Sequence, residues 1–174
     1  MRIPERWLRT FVDPPIDTAT LCGKLTMAGF EVEDVTTAAP AFANVVVGSI
    51  TKIAPHPNAD RLRVCTVDVG RDRALQIVCG APNAAVGMRV ACALVGATLR
   101  GGQAIGETSI RGVASRGMLC SASELGIADD ASGLFSFSTD TRVGQDVREA
   151  LALDDALITI KLTPNRPDCL SIVG

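Results

Sequence analysis

A chain of 174 residues that is 47% apolar and 21% charged is long and hydrophobic enough to bury a core, which excludes a disordered tail. Its longest apolar runs, such as Val45-Val46-Val47, fall far short of a bilayer span, and Met-Arg-Ile-Pro-Glu-Arg puts charge where a secretion signal needs apolar residues. The net charge of −2 hides a basic middle: residues 45–116 hold nine Lys/Arg against four Asp/Glu, for +5, while 1–44 carry −2 and 117–174 carry −5. Such asymmetry points to a polyanion partner for the middle segment, or to an intramolecular match with the acidic C-terminal part.

From the start, Pro4 with Trp7, Leu8 and Phe11 on one side predicts a short helix over 4–11, stopped by Asp13-Pro14-Pro15. Asp17 is a candidate N-cap for a second helix over 18–28, with Leu21 and Leu25 one turn apart and Gly29 as its stop. FEVEDVTT alternates apolar and polar residues and predicts a strand over 30–37. This helix–helix–strand unit is too small to hold a core alone.

After the connector 38–41 the texture changes to short β runs: 45–53, 63–69, 75–78 and 90–94. Turn signals separate them at Pro55-His56-Pro57-Asn58, Gly70-Arg71-Asp72, Ala81-Pro82-Asn83 and Gly101-Gly102, with a short helix expected over 58–62. The stretch 108–127, TSIRGVASRGMLCSASELGI, predicts strand, tight turn, strand and a capped short helix ending at Gly126. Residues 133–137 would add a closing strand. The pattern fits a small closed barrel of OB type, with a β sandwich as the alternative. Toward the end, 145–152 predicts a helix and 156–162 a strand. Thr163-Pro164-Asn165-Arg166-Pro167-Asp168 resembles a cap and helix start with only seven residues after Pro167, so a larger protein is expected to follow.

The chemistry-bearing residues argue mainly by exclusion. The six cysteines lie far apart with no CxxC and no neighbouring histidine, which speaks against structural zinc and for reduced thiols in a cytosolic protein. Cys65, Cys79 and Cys92 fall inside β runs as small buried hydrophobes. His56, the one histidine, sits between two prolines as a turn residue. No dinucleotide or P-loop motif and no catalytic constellation is present. All six aromatic residues lie outside 45–116, so the basic segment lacks the stacking platforms of a single-strand binder. It suits phosphate and 2′-hydroxyl contacts on structured RNA.

Six stretches together resemble the N-terminal portion of bacterial phenylalanyl-tRNA synthetase β subunits: RWLRTFV (6–12), LTMAGFEVE (25–33), HPNADRLRVCTVDVG (56–70), IVCGAPN (77–83), IRGVASRGMLCSASELGI (110–127) and TPNRPDCLSIVG (163–174). The resemblance spans essentially the whole chain; its barrel motifs are shared with free-standing tRNA-binding proteins and a methionyl-tRNA synthetase appendage. It implies a mainly β architecture with an α/β part: an OB-fold (five-stranded Greek-key barrel) tRNA-binding domain at 40–151, inserted into a small α/β domain formed by 1–39 and 152–174. It further implies an α2β2 enzyme that joins phenylalanine to tRNA using ATP and magnesium, with aminoacylation built mainly by the α subunit. The editing site and magnesium ligands of the family fall beyond Gly174, so no catalytic residue, cofactor or metal is expected here.

The expected partners are tRNA and, in the full protein, the α subunit, with neither DNA nor membrane. Lys52, Arg61, Arg63, Arg111 and Arg116 are the candidate phosphate contacts, from the +5 segment and the RGVASRG corner. The alternatives are a structural or assembly module of the synthetase that scarcely touches RNA, favoured by the overall acidity, and a free-standing tRNA-binding protein.

Overall fold

The computed structural model describes residues 1–38 and 40–162, and the chain divides into two compact units, Met1–Ala39 with Leu153–Gly174 and Pro40–Ala152. Strand is the dominant element, with a few short helices. The helix start read at 163–168 lies outside the described residues.

In the first unit, β1 (Arg2–Pro4), β2 (Phe30–Thr37) and β11 (Ala156–Leu162) form an antiparallel sheet in the order β1-β11-β2. Helices α1 (Glu5–Arg9) and α2 (Thr18–Met27) accompany it. The Asp17 side chain accepts from the Thr20 N–H at 2.7 Å, the expected N-cap of α2. Ile3, Leu21, Ile158 and Ile160 are buried together, with Leu25, Phe30 and Val32 packed against them. The opening residues depart from the expected helix over 4–11: β1 comes first and α1 ends at Arg9. The reason is long-range, since Ile3 takes its place opposite Ile158 on β11.

The second unit is built on β3 (Ala43–His56), β4 (Ala59–Asp68), β5 (Leu75–Cys79), β6 (Arg89–Thr98) and β10 (Ser136–Phe137), in the order β10-β6-β3-β4-β5. Ile50, Cys65, Val67, Ile77, Cys79, Val90, Cys92 and Leu119 share its core. A second hairpin, β7 (Glu107–Ile110) with β8 (Val113–Arg116), is followed by β9 (Met118–Leu119), which pairs with β6. Gly117 makes that joint: its φ is +130°, and a Cβ there would stand 2.6 Å from the Ala93 carbonyl oxygen. Between β5 and β8 side chains make the hydrogen bonds, Gln76 Nε2 donating to the Ala114 carbonyl and the Val78 N–H to Ser115 Oγ. Among the described residues no backbone ladder joins those two strands.

Helix α3 (Ala122–Leu125) carries a full capping box: Ser121 Oγ accepts from the Glu124 N–H, and Glu124 Oε2 accepts from the Ser121 N–H. It ends at Gly126 in the left-handed region, as expected. The expected helix over 145–152 is a single turn, α4 (Val147–Ala150), started by the Asp146 side chain. One expected element is absent. The helix read over 58–62 is a turn at Pro57–Asn58 followed directly by β4.

Candidate nucleic-acid interface

Two hairpin tips meet in the second unit. The β3–β4 strands reverse at Pro57–Asn58, and β7–β8 reverse at Arg111–Gly112, where φ is +48° and +87°. Positive φ at both turn residues suits a tight hairpin, at some cost to the non-glycine Arg111. Polar contacts hold it there: Asn58 Nδ2 donates to the Arg111 carbonyl at 3.0 Å, and Arg111 Nη1 approaches the Asn58 carbonyl at 3.4 Å.

His56 completes the fastening and is only 5% exposed. Its Nδ1 accepts from the Asn58 N–H at 3.0 Å, which assigns the ring proton to Nε2, donated to the Ile110 carbonyl at 3.0 Å. A neutral imidazole and a neutral amide thus dock one tip on the other.

The five candidate cations are not equivalent. Arg111 is exposed at this tip with no carboxylate partner among the described residues. Arg61 is exposed three residues after Asn58; Pro55 pairs with Arg63 and His56 with Ala59, so residues 60–62 loop out of the ladder. Lys52 is exposed on β3 opposite Thr66, just past a bulge at Thr51. Arg63 is in step with the core residues Cys65 and Val67, so strand alternation puts it on the face opposite Lys52. Its Nη1 donates to the Ala84 carbonyl at 2.9 Å. Arg116 closes the open end of β7–β8 against Glu107, Nε to Oε1 at 2.9 Å, an exposed cross-strand pair. The structure therefore brings Arg61 and Arg111 to the tip region, separates Lys52 from Arg63, and pairs Arg116 with an acid.

Beside the β7–β8 hairpin lies a cavity of about 500 Å³, with Val78, Cys79, Pro82, Ile110, Met118 and Glu124 among its lining residues. At its Cys79 wall the sulfur accepts from the Ala81 N–H at 3.4 Å. The neighbouring Cys65 thiol donates to Cys79, which with the Ala81 N–H and the Arg63 charge brings Cys79 down to about 7, while Cys65 is pushed up. Burial alone drives Cys92, and mainly drives Cys120, up to about 12.

Residues 45–146, which include both tips and the cavity, match the family described as "Putative tRNA binding domain". The chain belongs to that tRNA-binding family. It is similar along its whole length to the phenylalanine–tRNA ligase beta subunits of Aromatoleum aromaticum, 58% identical, and Bordetella bronchiseptica, 59% identical. It spans about 22% of the length of each of these relatives. A MetRS-related protein of Pyrococcus horikoshii, of solved structure, is 21% identical, with a TM-score of 0.45 over 59% of this chain and 87% of its own.

Within the tRNA-binding family segment, charge counting alone misses the neutral fasteners. His56 and Asn58 give a local signal, a His-Pro-Asn turn, but their partners Ile110 and Arg111 come more than fifty residues later. Glu124 is legible as the last member of an S-x-x-E capping box, yet its place on a cavity wall depends on the tertiary fold.

Proposed function

We propose that this chain is the non-catalytic, tRNA-binding part of a phenylalanine–tRNA ligase β subunit. The observation that carries the reading is the fastened double tip inside the matched segment: neutral His56 and Asn58 hold the turn, and Arg61 and Arg111 have no carboxylate partner among the described residues. Phosphate contacts supply most sequence-independent RNA affinity, and guanidinium groups free of acids serve best. Lys52, Arg63 and Arg116 extend the same reading along β3, β4 and β8, with Lys52 on a different face from Arg63.

The reading takes residues 40–151 as an OB-type five-stranded Greek-key barrel inserted into a small α/β domain of 1–39 and 152–174. The strand order, with β7–β8 tied to β5 by side chains and β9 paired with β6, supports it. The whole protein would act in the cytoplasm as an α2β2 enzyme attaching phenylalanine to its tRNA with ATP and magnesium. Among the described residues no group of three or more His, Cys, Asp or Glu side chains is placed to hold a metal, and no helix is long and apolar enough to cross a membrane. No residue of this chain is assigned to ATP or magnesium.

Titrating the chain with tRNA at increasing salt tests the reading. Each phosphate contact contributes about 0.7–0.9 to the log–log slope, so two or more should give a clearly negative slope. A flat slope, or equal affinity for unstructured oligonucleotides, removes it. The net charge of −2 favours a second reading, a bracing module of the synthetase that scarcely touches RNA. Reversing the charge of Arg111 and Arg116 in the full enzyme separates the two: lost tRNA binding with an intact assembly supports the first, lost assembly the second.

A further inference from the structure

We infer that the 500 Å³ cavity beside the β7–β8 hairpin receives one unpaired base of the bound RNA, and that Glu124 Oε1 accepts a hydrogen bond from that base. This rests on the tRNA-binding reading above and adds a base contact to its phosphate contacts.

The argument begins with Glu124. Its Oε2 is occupied twice, by the Ser121 N–H at 2.6 Å and the Ser121 hydroxyl at 2.8 Å. Its Oε1 has no donor among the described residues, although the side chain is half-buried and lines the cavity. An ionised carboxylate oxygen only accepts, so beside this cavity it favours a ligand that brings N–H groups. The sign of the charge selects further: a carboxylate repels phosphate, so a polyanion can enter here only by a base.

The walls agree. Val78, Pro82 and Met118 offer apolar surface, and the Met118 thioether is a soft, adaptable partner for a flat ring. The volume lies within the range of small-ligand pockets. The basic segment has no aromatic residue on which a base could stack, so an extruded base must be taken into a recess. Location supplies the link to the backbone contacts. Ile110 lines the cavity and is followed directly by Arg111, which puts the proposed base and phosphate subsites next to each other. Reading unpaired bases at their hydrogen-bonding edges, while cations hold the backbone, is a common way for proteins to recognise folded RNA.

Glu124→Gln is the discriminating variant. The glutamine carbonyl can keep the capping box, while the atom in place of Oε1 changes from an acceptor to an N–H donor. With tRNA as the probe, the full chain carrying Glu124→Gln should bind about tenfold more weakly, with an unchanged salt slope because no phosphate contact is altered. In the unmutated chain, the ¹³C-labelled methyl resonance of Met118 should shift at saturating tRNA from the ring current of the inserted base. Unchanged affinity of Glu124→Gln, or a stationary Met118 methyl with a steep salt slope retained, overturns the base pocket and leaves the tRNA reading standing. A chain with no salt-dependent affinity for tRNA overturns both.

Discussion

Arg9 in the first unit and Arg111 in the second both sit where the chain reverses, and they are held in opposite ways. Arg9 is used up by the fold: Nε bonds Glu5 at 2.8 Å, Nη1 bonds Asp13 at 2.8 Å and the Pro14 carbonyl at 2.9 Å, and Nη2 bonds the Ile16 carbonyl at 2.7 Å. The Asp13 and Glu5 hydrogen bonds raise its already high pKa, and the loop after α1 closes around it. At the Arg111 turn, uncharged His56 and Asn58 do most of the fastening through backbone groups. A guanidinium that ties a loop through carboxylates loses its attraction for a distant anion. Neutral fasteners fix the shape of the turn and leave its charge facing solvent.

The largest effect should come from removing a neutral fastener. His56→Ala leaves the Ile110 carbonyl and the Asn58 N–H without their partners and opens a void at a nearly buried site, costing about 2–3 kcal/mol in urea denaturation. A loss below about 0.5 kcal/mol would mean that the tips hold without it. Arg111→Glu should do the reverse. It should leave stability within about 0.5 kcal/mol while weakening tRNA binding at least about tenfold and flattening the salt slope by about one contact. Arg9→Ala should destabilise the first unit and leave tRNA affinity unchanged. If Arg9→Ala weakened binding and Arg111→Glu unfolded the chain, the contrast between the two arginines would collapse.

Cysteine sharpens the comparison in a different chemistry. Cys22 on α2 is pushed up by burial and by Glu5, whereas Cys79 on β5 is brought down to about 7 by the Cys65 thiol and the Ala81 N–H. Iodoacetamide should therefore modify Cys79 at a lower pH than Cys22, and at a much lower pH than Cys92 and Cys120, which burial holds near 12. Peptide mapping of the alkylated chain reads the order directly. Cys22 reacting before Cys79 at neutral pH would show that exposure outweighs the local thiolate stabilisation.

What the sequence reveals here follows the range of the interactions. Asp17, Gly29, Ser121, Glu124 and Gly126 act on neighbours within four residues, and the elements they bound, α2, β2 and α3, are legible from residue types alone. The first strand and the docking of the Pro57–Asn58 turn onto the second hairpin are not, because Ile3 is positioned by Ile158 and Asn58 by Arg111. The basic character of the middle segment is equally plain in the sequence, but its distribution is not. One extra residue at Thr51 sets the face of Lys52 relative to Arg63, and hairpin register sets Arg116 opposite Glu107. Counting charges therefore finds the segment, while pairing and register decide which charges remain available.

The smallest expected effect concerns acid, and it too divides the units. Asp17 accepts from the backbone N–H of Thr20, and that bond holds its carboxyl below the usual range; Asp130 is held low by Ser132. A lowered folded-state pKa means that each group stabilises the fold above its unfolded value, about 3.9, and ceases to do so as pH falls through the lower folded value. The structural consequence differs, because Asp17 caps the ten-residue α2 while Asp130 closes only the turn to Ser132. Below pH 4 the far-UV ellipticity should therefore decline slightly as α2 frays from its N-terminus. Asp17→Asn keeps an acceptor at the cap but does not titrate, so it should hold the neutral-pH helicity and remove this decline. An acid transition of undiminished amplitude in Asp17→Asn would place its origin in another group.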